Sequence, residues 1–171
     1  QAMHSLGYEH ECVYLNSMFA HPTPQSRDRM YVVFWKRGNK RPNLHIEPRA
    51  YCDHCGKDVD SVQSWKNLRK QWGKYGQRNQ YIYCCPICRS EVQPYFFAAA
   101  NAIDWTILGE RIGDRKTPLK PRTVERIEYG LRKFGRQPQM IQTDYTHSDS
   151  PRARTVSDVM PTQSTRQVLG L

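Results

Sequence analysis

Apolar residues are scarce in this chain. Only 38% of its 171 residues are hydrophobic, below the usual globular level, so any core is modest and a bound metal would help hold it together. No apolar run is long enough to span a bilayer, which excludes a membrane helix and argues against a membrane partner. No secretion signal is visible, because Gln1 to Tyr8 is polar and mixed. The expected compartment is therefore a reducing cytoplasm, where six cysteines serve as metal ligands or buried thiols rather than disulfides. Acidic residues are also few: 16 Asp and Glu stand against 26 Lys and Arg, leaving a formal net charge of +10. Such a surplus favours a polyanionic partner, since each neutralised phosphate releases counterions. Paired histidine motifs are missing, and the six histidines are scattered, which argues against a zinc-stabilised nuclease. The chain opens on Gln rather than Met, and a fragment, a trimmed sequence and a degenerate gene are all open readings.

Three stretches differ in character. In residues 1–40, His10 to Leu15 can form a short strand. Met30-Tyr31-Val32-Val33-Phe34-Trp35 is apolar on both faces and reads as a central, buried strand. His21-Pro22-Thr23-Pro24 between them cannot be regular structure. The stretch reads as the edge of a larger α/β domain. Residues 41–100 read as a small metal-centred module, with strands at Arg49 to Cys52 and Tyr81 to Cys84 leading into cysteine pairs. In residues 101–171 a helix is expected over about 121–134. There Val124, Ile127, Leu131 and Phe134 make one apolar stripe, Pro121 suits the first turn and Gly135 the end. The polar remainder from Arg136 reads as an extended loop or tail. The expected class is α+β.

Cys52-Asp53-His54-Cys55 and Cys85-Pro86-Ile87-Cys88 are two C-x-x-C knuckles separated by 29 residues. Zinc takes four ligands in a tetrahedron, and two thiolates spaced this way bind one ion from a tight turn. Two pairs complete the shell. A closed four-cysteine site is structural and has no position left for activating water. Cys84 competes with Cys85 for the third place; the spacing of the first pair favours Cys85. Cys12 reads as a buried thiol, and His54 as pointing away from the metal.

Trp65 to Arg78 carries five basic residues, Lys66, Arg69, Lys70, Lys74 and Arg78, with no acidic ones, two Trp and one Tyr. Lys and Arg neutralise phosphates, Arg, Asn and Gln read base edges, and aromatic rings stack on exposed bases. The same Trp65 and Trp72 would equally serve as the core of a small zinc module. A second cluster from Arg111 to Arg136 has nine Lys or Arg against three acids, much of it consistent with the solvated face of a helix.

Leu6-Gly7-Tyr8, Val13-Tyr14-Leu15-Asn16 and Pro24-Gln25-Ser26-Arg27-Asp28-Arg29-Met30-Tyr31-Val32-Val33 together resemble DNA cytosine-5 methyltransferases of phage or bacterial type. That family has a strand leading to Leu-Asn, a Pro-containing loop, then Gln-x-Arg-x-Arg opening a buried strand. The resemblance implies that Arg27 and Arg29 contact a flipped target cytosine and that Gln25 helps set the loop. Cytosine out of the stack must be held by its polar edge, and Arg offers rigid, permanently charged donors. Otherwise the arginines would cap the strand and pair with Asp28 or a neighbour. The family places its target-recognition domain next, where this chain has its cysteine module. Ile103-Asp104-Trp105, Gly109-Glu110-Arg111-Ile112 and the end, Met160 to Leu171, are similar to later recognition segments.

The family's Phe-x-Gly-x-Gly cofactor loop, Pro-Cys nucleophile loop, Glu-Asn-Val motif and closing motifs are absent. The resemblance therefore covers an internal stretch: edge strands of a Rossmann-like methyltransferase domain, then a small four-cysteine zinc-ribbon-like module and a helical or irregular recognition region. Double-stranded DNA would be the partner, in a bacterial or phage-infected cell. S-adenosylmethionine would bind only in a full-length parent carrying the missing N-terminal catalytic portion, and this chain alone would be inactive. The alternative is a stand-alone zinc-ribbon nucleic-acid-binding module without catalysis.

Overall fold

The computed structural model describes residues 2–107, 109–142, 153–163 and 169–170. It divides into two compact units, Gln1–Phe96 and Phe97–Leu171. Among the described residues, no helix is long and apolar enough to cross a membrane.

The first unit begins with a helical turn, α1 (Ala2–Ser5), and Gly7 at a φ of +80° then swings the chain into β1 (Tyr8–Asn16). β1 pairs antiparallel with β2 (Asp28–Lys36) over their whole length, from Tyr8 opposite Lys36 to Asn16 opposite Asp28. The apolar run thus forms a strand, but not a central buried one. Its sheet has two strands, and Met30, Tyr31, Val32 and Phe34 are exposed by 38% to 55%. An apolar run on both faces needs a layer on each side to be buried, and a two-stranded ribbon supplies none. Where the resemblance implies edge strands of a larger domain, the described residues form this two-stranded ribbon, and the paired strands among them are all antiparallel. Cys12, expected to be buried, is exposed on the same ribbon.

Asn16 holds the long connection between β1 and β2. Its side chain is 2% exposed. Its Oδ1 accepts from the backbone N–H groups of Met18 and Arg27, both at 3.1 Å. Its Nδ2 donates to Ser26 Oγ at 3.0 Å and Asp28 Oδ1 at 3.1 Å. Each buried group left unpaired costs about 1–3 kcal/mol. Asn16→Ala is therefore expected to destabilise the first unit by about 2–4 kcal/mol, read as a lower urea midpoint at unchanged slope.

The rest of the unit is built from short strands. β3 (Arg49–Cys52) and β4 (Lys57–Asp60) form one hairpin. β5 (Val62–Trp65), β6 (Tyr81–Cys84) and β7 (Glu91–Val92) form a three-stranded antiparallel sheet in the order β5-β6-β7. A bridge between Ala50 and Pro94 ties the two together. The core is largely aromatic. Tyr81 and Tyr83 are buried, and Phe19 meets Tyr75 at 4.8 Å and Tyr83 at 5.1 Å between ring centres, both edge to face. Trp65 packs at 5.0 Å on Tyr81 and at 5.7 Å on Tyr14. Burial pushes the Tyr75 phenol up to about 12 and those of Tyr81 and Tyr83 higher, so the cluster is uncharged at neutral pH. Because Tyr14 and Phe19 come from the ribbon and its connection, ribbon and cysteine module share one core.

In the second unit, α2 (Pro121–Phe134) runs over the expected residues, with Pro121 in its first turn and Gly135 closing it at a φ of +67°. Only half of the expected stripe is turned inward: Ile127 and Phe134 are half-buried beside buried Gly130, whereas Val124 and Leu131 are 38% and 47% exposed. The Gln139 side chain lies over Gly130, and a Cβ there would collide with its carboxamide. The packing is rotated by the missing side chain, because the next strand approaches where there is least bulk. The polar remainder also forms a sheet. β8 (Gln139–Gln142), β9 (Ala153–Thr155) and β10 (Leu169–Gly170) are antiparallel in the order β10-β8-β9. Met140, Ile141 and Ala153 are its buried apolar residues. Of the Met160 to Leu171 segment, residues 164–168 and 171 lie outside the described residues.

Candidate metal centre and nucleic-acid interface

The first knuckle is the tight end of the β3–β4 hairpin. Gly56 N–H donates to Cys52 O at 2.8 Å, with Gly56 at a φ of +64°. The second knuckle joins β6 to β7 and repeats the geometry: Arg89 N–H donates to Cys85 O at 3.0 Å, with Arg89 at a φ of +65°. Each C-x-x-C turn is thus followed by one left-handed residue that closes it. Glycine adopts this conformation freely and arginine does not. Gly56→Ala should cost about 1 kcal/mol, since an added Cβ meets nothing within 4 Å and only the backbone objects. Arg89→Gly should be neutral or stabilising by up to about 1 kcal/mol. Thermal midpoints of the metal-loaded variants check both; equal losses would show that the two turns are not held by this conformation.

The Sγ atoms of Cys52, Cys55, Cys85 and Cys88 all lie within 4.8 Å of one another. Cys52 and Cys88 are 3.5 Å apart, and Cys55 and Cys85 are 3.9 Å apart. A tetrahedron with metal–sulfur bonds of about 2.3 Å has edges of about 3.8 Å. These separations suit one shared ion and are far longer than a disulfide. The four side chains therefore form a cluster able to hold a metal ion. Cys84 is buried in β6 and is not one of its four sulfurs, and His54 is exposed and likewise outside it. The cluster thus takes Cys85, the cysteine that the spacing of the first pair favours, and leaves Cys84 at the end of β6. The hydroxyl and backbone N–H of Ser90 hold the Cys88 thiol down to about 6. Cys55, hydrogen-bonded to the Cys88 sulfur, is pushed up to about 12. A cation between them would replace the proton and favour all four thiolates.

Residues 66–80, which connect β5 to β6, form a loop with its own supports. Asn67 Oδ1 accepts from Arg69 N–H at 3.0 Å. Gln80 Oε1 accepts from Lys74 N–H at 2.9 Å across Gly73, where a Cβ would fall 2.8 Å from Gln80 Cβ. The φ of +136° at Gly73 makes the same demand, so only glycine fits. The Lys66 ammonium donates to the carbonyls of Gly76 and Gln77 and braces the return of the loop. Arg69, Lys70, Lys74 and Arg78 are exposed, and among the described residues none forms an ion pair. The two tryptophans divide their roles. Trp65 belongs to the core cluster, whereas Trp72 is 59% and Leu68 76% exposed on the loop.

Gln25, Arg27 and Arg29 lie at the end of the β1–β2 connection and the start of β2. Gln25 O accepts from Ser17 Oγ at 2.7 Å. Arg27 is exposed, and its backbone is held by Asn16. Arg29 is half-buried, and its Nη1 donates to Asp28 O at 2.9 Å. Asp28 forms no ion pair with either arginine among the described residues. Its Oδ1 instead accepts from Asn16 Nδ2 and from the backbone N–H of Tyr75 at 3.0 Å. Sequence reasoning missed Asn16, Asp28 and Tyr75 as organising residues. The only signal was the placing of one acid between two arginines, which suggested an ion pair.

Compared with protein-family models, curated proteins and solved structures, the chain matches none of them.

Proposed function

We propose that this chain is a DNA-binding module built on a structural zinc ion, and that it is the target-recognition portion of a DNA cytosine-5 methyltransferase. The observation that carries DNA binding is the 66–80 loop. Its base is braced, and it presents an exposed Trp72 and four basic side chains without an ion pair among the described residues. Unpaired cations are available to phosphates, and an aromatic ring among them can stack on or wedge against bases. Zinc is favoured over other ions by four thiolates in a tetrahedral arrangement. The metal would be bound by Cys52, Cys55, Cys85 and Cys88. It would supply cross-linking only, because no coordination position is left for substrate.

The methyltransferase reading rests on the Gln25-Ser26-Arg27-Asp28-Arg29 order and on its support by Asn16. Arg27 immediately precedes β2 and Arg29 is its second residue, so the two stand together at the start of the strand. There they would hold the polar edge of an extruded cytosine. The nucleophile and S-adenosylmethionine site would come from a catalytic portion outside this sequence. The test is binding to a duplex in which one cytosine faces an abasic site and is therefore cheap to extrude. Wild-type protein should prefer it to the matched duplex, and Arg27→Ala with Arg29→Ala should erase the preference while leaving general affinity. If the double variant binds both duplexes as wild type does, the alternative stands: a free-standing zinc module that uses the loop alone.

A further inference from the structure

The loop and the Gln25–Arg29 segment, far apart in sequence, are joined at one carboxylate. Asp28 Oδ1 is 3.1 Å from Asn16 Nδ2 and 3.0 Å from the backbone N of Tyr75. Asn16 in turn fixes Ser26 and the backbone N–H of Arg27. Tyr75 is the hub of the loop's return. Its carbonyl accepts from Asn79 Nδ2 at 2.7 Å, its hydroxyl donates to Gln93 Oε1 at 2.9 Å, and its ring packs on Phe19. Asp28 stands between two arginines, yet its carboxylate accepts from these two amide donors and forms no ion pair with either guanidinium. An acceptor shared in this way transmits position: the Tyr75 backbone cannot move away without releasing Asp28, and Asp28 cannot turn without releasing Asn16.

We infer that Asp28 is a positioning residue that couples the basic loop to Arg27 and Arg29, so that seating the loop on DNA sets the register of the two arginines. The inference rests on the DNA-binding reading above, but its structural half is testable without DNA. Amide hydrogen exchange on the metal-loaded chain is the measurement. Asp28→Ala removes the shared acceptor and should speed exchange at Tyr75 and Arg27 together, about tenfold each. Asp28→Asn keeps an Oδ1 acceptor and should restore slow exchange at both, which a mere need for negative charge would not produce. Unchanged zinc content and circular dichroism guard against simple misfolding. Faster exchange at only one of the two amides, or at neither, overturns the coupling. With a duplex added, wild type should gain protection in 66–80 and at Arg27 to Met30, and Asp28→Ala only in 66–80. Protection at Arg27 to Met30 retained by Asp28→Ala would also overturn it. A wild-type chain that gains no protection anywhere from duplex would overturn the DNA-binding reading, leaving the coupling to be judged by the exchange of the free protein.

Discussion

Stripping the metal with a chelator is expected to erase the slowly exchanging amides of β3 to β7 and to collapse the near-ultraviolet signal of the tyrosine cluster. The physical reason is the smallness of the core. Beyond its aromatic rings, the first unit buries few apolar side chains: Met18, Val59, Val92, Ala50, Pro48 and Pro94, with Cys52, Cys84 and Cys85. A structural zinc contributes on the order of 10–16 kcal/mol of apparent binding free energy in small zinc peptides, more than most domains have to spare. The two knuckles sit on different sheets, β3–β4 and β5-β6-β7, so the ion would cross-link them where hydrogen bonding is sparse. One zinc per chain should be found by metal analysis. Cys52→Ser, Cys55→Ser, Cys85→Ser or Cys88→Ser should each lower the thermal midpoint steeply and weaken metal retention. Cys84→Ser, which alters a buried side chain outside the cluster, should cost only about 1–3 kcal/mol and keep the stoichiometry. A chelated chain with an unchanged spectrum would remove the metal from the account of this fold.

Neutralising Arg69, Lys70, Lys74 and Arg78 together is expected to produce the second large effect. The logarithm of the DNA association constant falls with the logarithm of salt at about 0.9 per phosphate neutralised. If all four side chains reach phosphates, the fourfold Gln variant should lose about 3–4 from that slope and bind at least about a hundredfold more weakly in low salt. Lys66 behaves differently. Its ammonium is engaged by the Gly76 and Gln77 carbonyls, so Lys66→Gln should loosen the loop with a smaller change in slope. Trp72→Ala should weaken binding with no change in slope, because stacking releases no counterions. A fourfold variant whose slope matches wild type would place the DNA elsewhere, with the basic residues around α2 next to be tested.

These two expectations differ in how far they could be read before folding. The cysteine cluster was legible because a C-x-x-C turn is a local object. Two residues between thiols allow only tight turns, and the same small geometry recurs at Cys52–Cys55 and Cys85–Cys88 whatever surrounds it. The bounds of β3, β6 and α2 were legible for a similar reason, since the cysteine turns that end the two strands, Pro121 and Gly135 act within a few positions. Burial was less so. Met30 to Phe34 has the composition of an interior strand, but composition cannot supply the layers that would cover it. Val124 and Leu131 have helical periodicity, yet the face that packs is chosen by Gly130 and the approach of Gln139.

What the amino-acid order determines by itself, then, is the paired cysteine spacing, the positive charge and the local elements. Tertiary structure alone decided which tryptophan is core and which is exposed. It alone decided that Lys66 braces the loop while Arg69, Lys70, Lys74 and Arg78 face solvent. It also decided that Asp28 serves Asn16 and Tyr75 instead of the arginines beside it. Each of these depends on which groups from distant parts of the chain arrive within about 3 Å of one another. Hydrogen bonds and ring contacts act only at short range, and no spacing along a sequence encodes it.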